Sequence, residues 1–272
     1  MNPPRFTLPT LRQASLSVVA TALLACAAPA LAAPPWDIVG IRLGMTEQQA
    51  RAALQAHSRQ AQVDEQLLKF TFHDGARQRE SPEFLAQIQA TIPGPPGTAD
   101  TETIKIELSP PPREQRVIGV RRTLSSYANP PSAERMLASL EQKYGKAGRT
   151  ATFGMGMKNT VADWAEDGKP VCGTRPGQPA VMPPPSQSPA ELRKYRQWQQ
   201  QKLAPADLGS CSARLHANMT IMHGGSSVVA LVVEMVDAGA MLPALEATER
   251  WLTEMEAAAK KERLGSGATP KL

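Results

Sequence analysis

The sequence predicts an α+β protein in which antiparallel sheets carry helices on one face, and three observations lead there. Alternating apolar and polar residues mark several strands joined by short turn segments, amphipathic helical stretches precede the groups of strands, and no regular strand–helix–strand succession of the kind that builds a parallel sheet occurs. The order helix then strands occurs twice, a layout that suits two tandem helix-plus-sheet units.

The N-terminus reads as an export signal. Arg5 and Arg12 precede an apolar stretch from Ala14 to Ala28, and Ala30-Leu31-Ala32 is the small-residue pattern that a signal peptidase cuts. Cleavage after Ala32 predicts a bacterial periplasmic or secreted protein beginning at Ala33. The alternative is a lipoprotein anchored through Cys26, which follows Leu23-Leu24-Ala25. No later segment reaches the roughly 20 consecutive apolar residues that a membrane helix needs, so no transmembrane segment is expected after cleavage.

Removing residues 1–32 takes away two of 30 basic residues and none of 25 acidic ones, so the formal charge falls from +5 to +3. That balance, without a long Lys/Arg run, argues against nucleic acid as a partner, because such binding rests on many phosphate contacts. Aromatic residues make up 4% of the chain, too few for a stacking platform, and the core must be aliphatic.

In chain order, Thr46 and Gln49 form a capping box for a helix ending near His57. Leu67 to Phe72 alternates as a strand that turns at His73-Asp74-Gly75, and Ser81 to Ala90 reads as a short helix. Thr103 to Leu108 and Gln115 to Ser125 form a hairpin across Pro110 to Pro112. Asn129 and Pro130 open a helix carrying Ala133, Met136, Leu137 and Leu140 and stopping at Tyr144-Gly145. Strands at Arg149 to Met155 and Thr160 to Glu166 lead to the first cysteine of the exported chain.

Beyond the second cysteine, Ala213 to Met222 and Val228 to Val236 form another hairpin. Its second strand is apolar on both faces and therefore central in its sheet. From Ala240 a closing helix carries Met241, Leu245, Thr248, Leu252, Met255 and Ala259 on one stripe, and residues 265–272 form a frayed tail. The expected units are 33–127 and 128–264, with an insertion at 173–210 in the second.

Cys172 and Cys211 bound that insertion, and an even cysteine count in an oxidising compartment predicts a disulfide between them. Closing a loop of about 40 residues is worth roughly 4 kcal/mol in the chain-entropy picture. The competing reading is a pair of free thiols in a metal or redox site, against which stand the absence of C-x-x-C and of clustered histidines. Inside the insertion a proline-rich stretch leads to Ser188-Pro189-Ala190-Glu191, which starts a helix running to about Lys202. Arg193, Lys194, Tyr195, Arg196 and Trp198 make it basic with two aromatics, with Leu192, Tyr195 and Leu203 as a narrow apolar stripe. Either it is an arm for an envelope protein or an anionic envelope surface, or it is a solvated flap lying on its own domain.

No G-x-S-x-G elbow, P-loop, H-E-x-x-H or S-x-x-K pattern is present, so a non-enzymatic role is expected. His57, His73, His216 and His223 lack metal-ligand spacing, and neither metal nor cofactor is expected. His216, Asn218 and Thr220 share the polar face of one strand, as a ligand groove or as a solvated sheet face. Asp163 and Glu166 lie on either side of Trp164; a carboxylate pair there could serve acid and base roles, although spacing alone does not fix their separation, and Trp164 itself reads as core.

The run Ile41-Arg42-Leu43-Gly44-Met45-Thr46-Glu47-Gln48-Gln49-Ala50 resembles the opening of the SmpA/OmlA-like domains, the family of the small lipoprotein of the outer-membrane barrel-assembly machinery, and the hairpin from Thr103 to Leu124 is similar to that family's later strands. The resemblance covers about Gly40 to Ser125. It implies helices on an antiparallel sheet, contacts with envelope proteins or lipid headgroups, and no catalysis. A related inhibitor-protein fold of tandem helix-and-sheet units would accommodate the second half.

Overall fold

The computed structural model describes residues 36–95, 100–125, 130–154, 156–165, 188–203, 213–222 and 224–265. The expected signal segment, Cys26, Cys172, Cys211, Glu166, His223 and the tail from 266 lie outside the described residues. Among the described residues, no helix is long and apolar enough to cross a membrane.

The fold is mixed α+β. Helix α1 (Glu47–His57) precedes strands β1 (Gln62–Leu68), β4 (Phe84–Pro93), β5 (Thr101–Leu108) and β6 (Val117–Ser125), with a small hairpin of β2 (Thr71–His73) and β3 (Gln78–Glu80) inserted after β1. Helix α2 (Ala133–Tyr144) precedes β7 (Arg149–Phe153), β8 (Lys158–Ala165), β9 (Ala213–Ile221) and β10 (Val228–Asp237). Helix α3 (Pro189–Leu203) interrupts this second set, and α4 (Ala238–Gly265) closes it. The eight long strands form one antiparallel sheet in the order β1-β4-β5-β6-β10-β9-β8-β7.

That order is a tandem repeat folded about a pseudo-twofold axis between β6 and β10. Each half is a helix followed by four strands laid from the sheet edge inward, and the two halves meet at the β6–β10 pair. Their details match residue by residue. The helix-capping residues bridge to the residue before the fourth strand in both, Thr46 to Arg116 and Ser132 to Ser227. The Val117 amide donates to the Met45 carbonyl and the Val228 amide to the Pro131 carbonyl, each at 2.8 Å. Both fourth strands bulge one residue later: Leu108–Val117 and Glu107–Gly119 pair in one half as Ile221–Val228 and Thr220–Ala230 do in the other. A bulge leaves one residue unpaired and bends its strand, so a shared position marks a shared design. The units expected at 33–127 and 128–264 therefore contribute to a single sheet.

Both expected hairpins, β5–β6 and β9–β10, are present, β10 lies between β6 and β9, and Trp164 is buried with its indole N–H on the Gly145 carbonyl at 2.7 Å. Three local expectations change. Ser81 to Ala90 is not a short helix: Phe84–Pro93 is strand β4, because paired neighbours on both sides outweigh a weak helical pattern. The expected strand from Leu67 to Phe72 is split between β1 and β2. The α2 cap is Ser132, whose hydroxyl accepts from the Arg135 amide, three residues beyond the expected Asn129.

The helices also lie on both faces, not one. Leu54 of α1 and Leu140 of α2 join a core with Ile88, Ile104, Ile106, Leu215, Met219 and Leu231. On the second face α3 and α4 cover a separate core of Phe70, Phe84, Ile118, Leu192, Val236, Leu242, Leu245 and Leu252. Bulges are the reason. Skipping one residue in β4 near Ala86 and one in β6 at Ile118 turns apolar side chains to the second face, and these need the apolar stripe of α4 as cover.

Candidate functional site

The second face of the sheet beyond the reach of that apolar core carries charge. Strand register sets Arg149, Asp163, His216, Glu234, Arg121 and Lys105 in one row across β7, β8, β9, β10, β6 and β5. Facing residues on adjacent strands stand about 5 Å apart, so these side chains must interact.

Asp163 is the hub. Its Oδ2 accepts from Arg149 Nε at 3.0 Å and Nη2 at 2.7 Å, and its Oδ1 from Arg214 Nε at 3.2 Å, Arg214 Nη2 at 2.8 Å and His216 Nδ1 at 2.9 Å. The carboxylate is fully buried, and burial alone would favour its protonated form. The hydrogen bonds from His216, Arg214 and Arg149 and the charge of Arg214 outweigh that and hold the carboxyl well below the usual carboxylate range. With Nδ1–H given to Asp163, the neutral ring presents Nε2 as an acceptor. Along the row Arg121 Nε donates to Glu234 Oε2 at 2.9 Å.

Glu107, one residue pair further along β5, is pushed up to about 8 by burial and by the nearby Glu234 charge, with Arg121 and Lys105 offsetting part of the effect. It is a carboxylic acid, not a carboxylate, at neutral pH. Among the described residues, three buried polar atoms have no hydrogen-bond partner, Glu107 Oε2, His216 Nε2 and Asn218 Oδ1, all on this face. Each such atom costs about 1–3 kcal/mol, which a fold stabilised only by its core has no reason to retain three times over on one face.

A second pattern extends from the sheet to the helices beside it. Asp74, Asp163, Glu234 and Glu249 are sunk, 0–10% exposed, and each is capped by an arginine, Arg79, Arg149, Arg121 and Arg193 in turn, that is 33–54% exposed. Buried acids thus hold guanidinium groups pointing outward in fixed orientation. At Asp74 the Arg77 and Ala76 amides, followed by Arg79, keep the carboxyl well below its usual range. On the opposite side Arg51 bridges Glu47 and Glu65, which are themselves 40% and 46% exposed.

The residues expected to bind a partner on α3 are placed differently. The Ser188–Glu191 cap forms as the sequence indicates, with the Glu191 amide on Ser188 Oγ and the Ser188 amide on Glu191 Oε2. Arg193 and Arg196, however, both turn onto Glu249 of α4, at 2.6 Å and 3.1 Å. Leu192 is fully buried and Tyr195 packs against the second core, while Lys194 is exposed and Trp198 is 45% exposed with its ring 5.9 Å from that of Tyr195. The helix lies along its own domain.

His216, Asn218 and Thr220 do share one face, but His216 is buried, not solvated, and Thr220 Oγ1 donates to Asn159 Oδ1 at 3.1 Å. Sequence reading passed over Arg121, Arg149, Arg214, Glu107 and Glu234. The signal for Glu234 was present as a lone acid inside the apolar run Val228–Val236, and Arg121 likewise follows the apolar start of its strand. Among the described residues no group of three His, Cys, Asp or Glu side chains could hold a metal ion. Among the described residues, no hydroxyl or thiol is hydrogen-bonded to His216 Nε2. No protein-family model, curated protein or solved structure matches the chain.

Proposed function

We propose that this chain is an exported, non-enzymatic interaction module that takes an anionic component of the bacterial envelope on the second face of its sheet. The observation that supports this reading is the set of buried carboxylates that each hold a partly exposed arginine, two of which, Asp163–Arg149 and Glu234–Arg121, lie in one cross-strand row on the second face. A guanidinium bound to a buried acid has lost its rotational freedom before any partner arrives, so an incoming phosphate or carboxylate meets donors already in place. The export signal and the SmpA/OmlA-like opening point the same way, to contacts with envelope proteins or headgroups. The arm reading of α3 is the weaker one, because Leu192 is fully buried and Tyr195 packs against the second core, so the helix is seated on its own domain.

The test is in-cell photocrosslinking from Thr123, which lies on the second face in the middle of the sheet, with Gln142 on the outer side of α2 as control. Capture of anionic lipid or of an acidic envelope protein from Thr123 alone, reduced when Arg121 and Glu234 are both changed to Leu, is the expected outcome. The paired change removes the ion pair without stranding a buried charge. Equal labelling from Thr123 and Gln142 would falsify the assignment of the face.

A further inference from the structure

The internal repeat identifies which part of this face the fold does not require. Matching strand registers place Gln62, Thr91, Thr101 and Thr103 in the first half where Arg149, Asp163, Arg214 and His216 stand in the second. The same backbone is therefore built with a neutral set once and a charged set once. In the charged copy the hydrogen bond to Asp163 fixes the His216 ring, and its Nε2 is buried with no partner among the described residues. Asn218 follows two residues later on the same strand, so its side chain stands beside His216 on the same face, and its Oδ1 is also buried without a partner. With the ring neutral and the Asn218 amide in this orientation, both atoms are acceptors. In the same cross-strand row Arg149 and Arg121 remain 43% and 33% exposed, with donors left over after binding Asp163 and Glu234.

We propose that His216 and Asn218, with Arg149 and Arg121 at the rim, form a recessed subsite for a small hydroxyl-bearing anion, of which a polyol phosphate, free or as a lipid headgroup, is the simplest member. Hydroxyl groups supply the donors that Nε2 and Oδ1 lack, and the anionic group satisfies the arginines. Neither half of such a molecule suffices: a polyol leaves the guanidinium groups in water, and inorganic phosphate carries its one or two P–OH donors on the same small group that the arginines take. The subsite rests on the anion-binding reading above and names the chemistry it selects.

The experiment follows the His216 ring nitrogens of the full-length protein, labelled with 15N-histidine, as sn-glycerol 3-phosphate is added. Glycerol alone and inorganic phosphate alone serve as separate arms. A saturable change at Nε2 with glycerol phosphate only is expected, with binding weakened about tenfold by His216→Thr, the loss of one hydrogen bond. In parallel, wild type and His216→Thr are co-sedimented with phosphatidylglycerol or phosphatidylcholine vesicles. Binding only to phosphatidylglycerol vesicles, reduced by His216→Thr, assigns the lipid-borne form, and binding of free glycerol phosphate assigns the soluble one.

His216→Thr introduces the residue that the first half already carries at that register. Should it fail to fold, the matched set Arg149→Gln, Asp163→Thr, Arg214→Thr and His216→Thr restores the neutral arrangement without an unpaired buried charge. The proposal is overturned if Nε2 is silent to glycerol phosphate and vesicle binding is unchanged by the substitution, or if glycerol or phosphate alone acts as strongly. Persistent capture from Thr123 alongside a silent His216 would remove the subsite alone, while loss of that capture would remove the broader reading.

Discussion

Glu107 shows how one side chain ties the polar face to pH. Its carboxyl is held as the acid up to about pH 8 in the folded protein, against about 4.5 in an unfolded chain. Below pH 4.5 both states are protonated and the residue is neutral to stability. As pH rises from 4.5 to 8 the unfolded chain releases a proton that the folded protein keeps, so stability falls through that window, by at most on the order of 5 kcal/mol, and then levels off. Glu107→Gln is therefore expected to melt like wild type at pH 4.5 and at a higher temperature than wild type at pH 8.5. Thermal melts across that range check it, and parallel curves for the two proteins would place the proton elsewhere. The sequence could not show this group. Lys105, Glu107 and their alternating partners read as the solvated side of a half-buried strand, and only the adjoining β6 and β10, which bring Arg121 and Glu234 alongside, convert that side into an interior.

At the scale of elements, legibility followed how local the determining interactions are. The α1 capping box, the α3 cap and both hairpins are set by residues within a few positions of one another, and they stand where the pattern put them. Strand β4 was misread because its pairing partners, β1 and β5, lie outside any short window. The face of α3 depends on a residue more than fifty positions away, since Glu249 draws in Arg193 and Arg196. Glu249→Ala should therefore loosen α3 from α4. It leaves Arg196, 19% exposed, without its carboxylate, removes a largely buried acid and leaves Leu192 and Tyr195 as the main remaining contacts. A loss of about 2–4 kcal/mol is expected, together with faster tryptic cleavage within α3. Unchanged cleavage there would show that the apolar contacts alone seat the helix.

For the whole molecule, the repeat was visible in sequence only as the order of helix and strands, because the two halves share geometry and not residues. Thr46 answers Ser132 and Val117 answers Val228, but Thr103 answers His216 and Thr91 answers Asp163, so alignment by residue type fails where the halves differ most in charge. Backbone bridges and bulges are kept because they set the curvature of the sheet. The site then falls in the half that departed from neutrality, beside the seam that joins the halves. That seam governs cooperativity. Strands β6 and β10 pair over seven residue positions from Gly119–Val236 to Ser125–Ala230, and separating the halves would expose two long unpaired strand edges at once. Native-state hydrogen exchange should then give the β6 and β10 amides a common opening free energy, equal to that of global unfolding, with β1 and β7 at the outer edges opening at lower cost. If β10 instead exchanged by a lower-energy opening that left β6 protected, the halves would be separate folding units resting edge to edge, and the polar row that crosses from His216 to Arg121 would be assembled only by their docking.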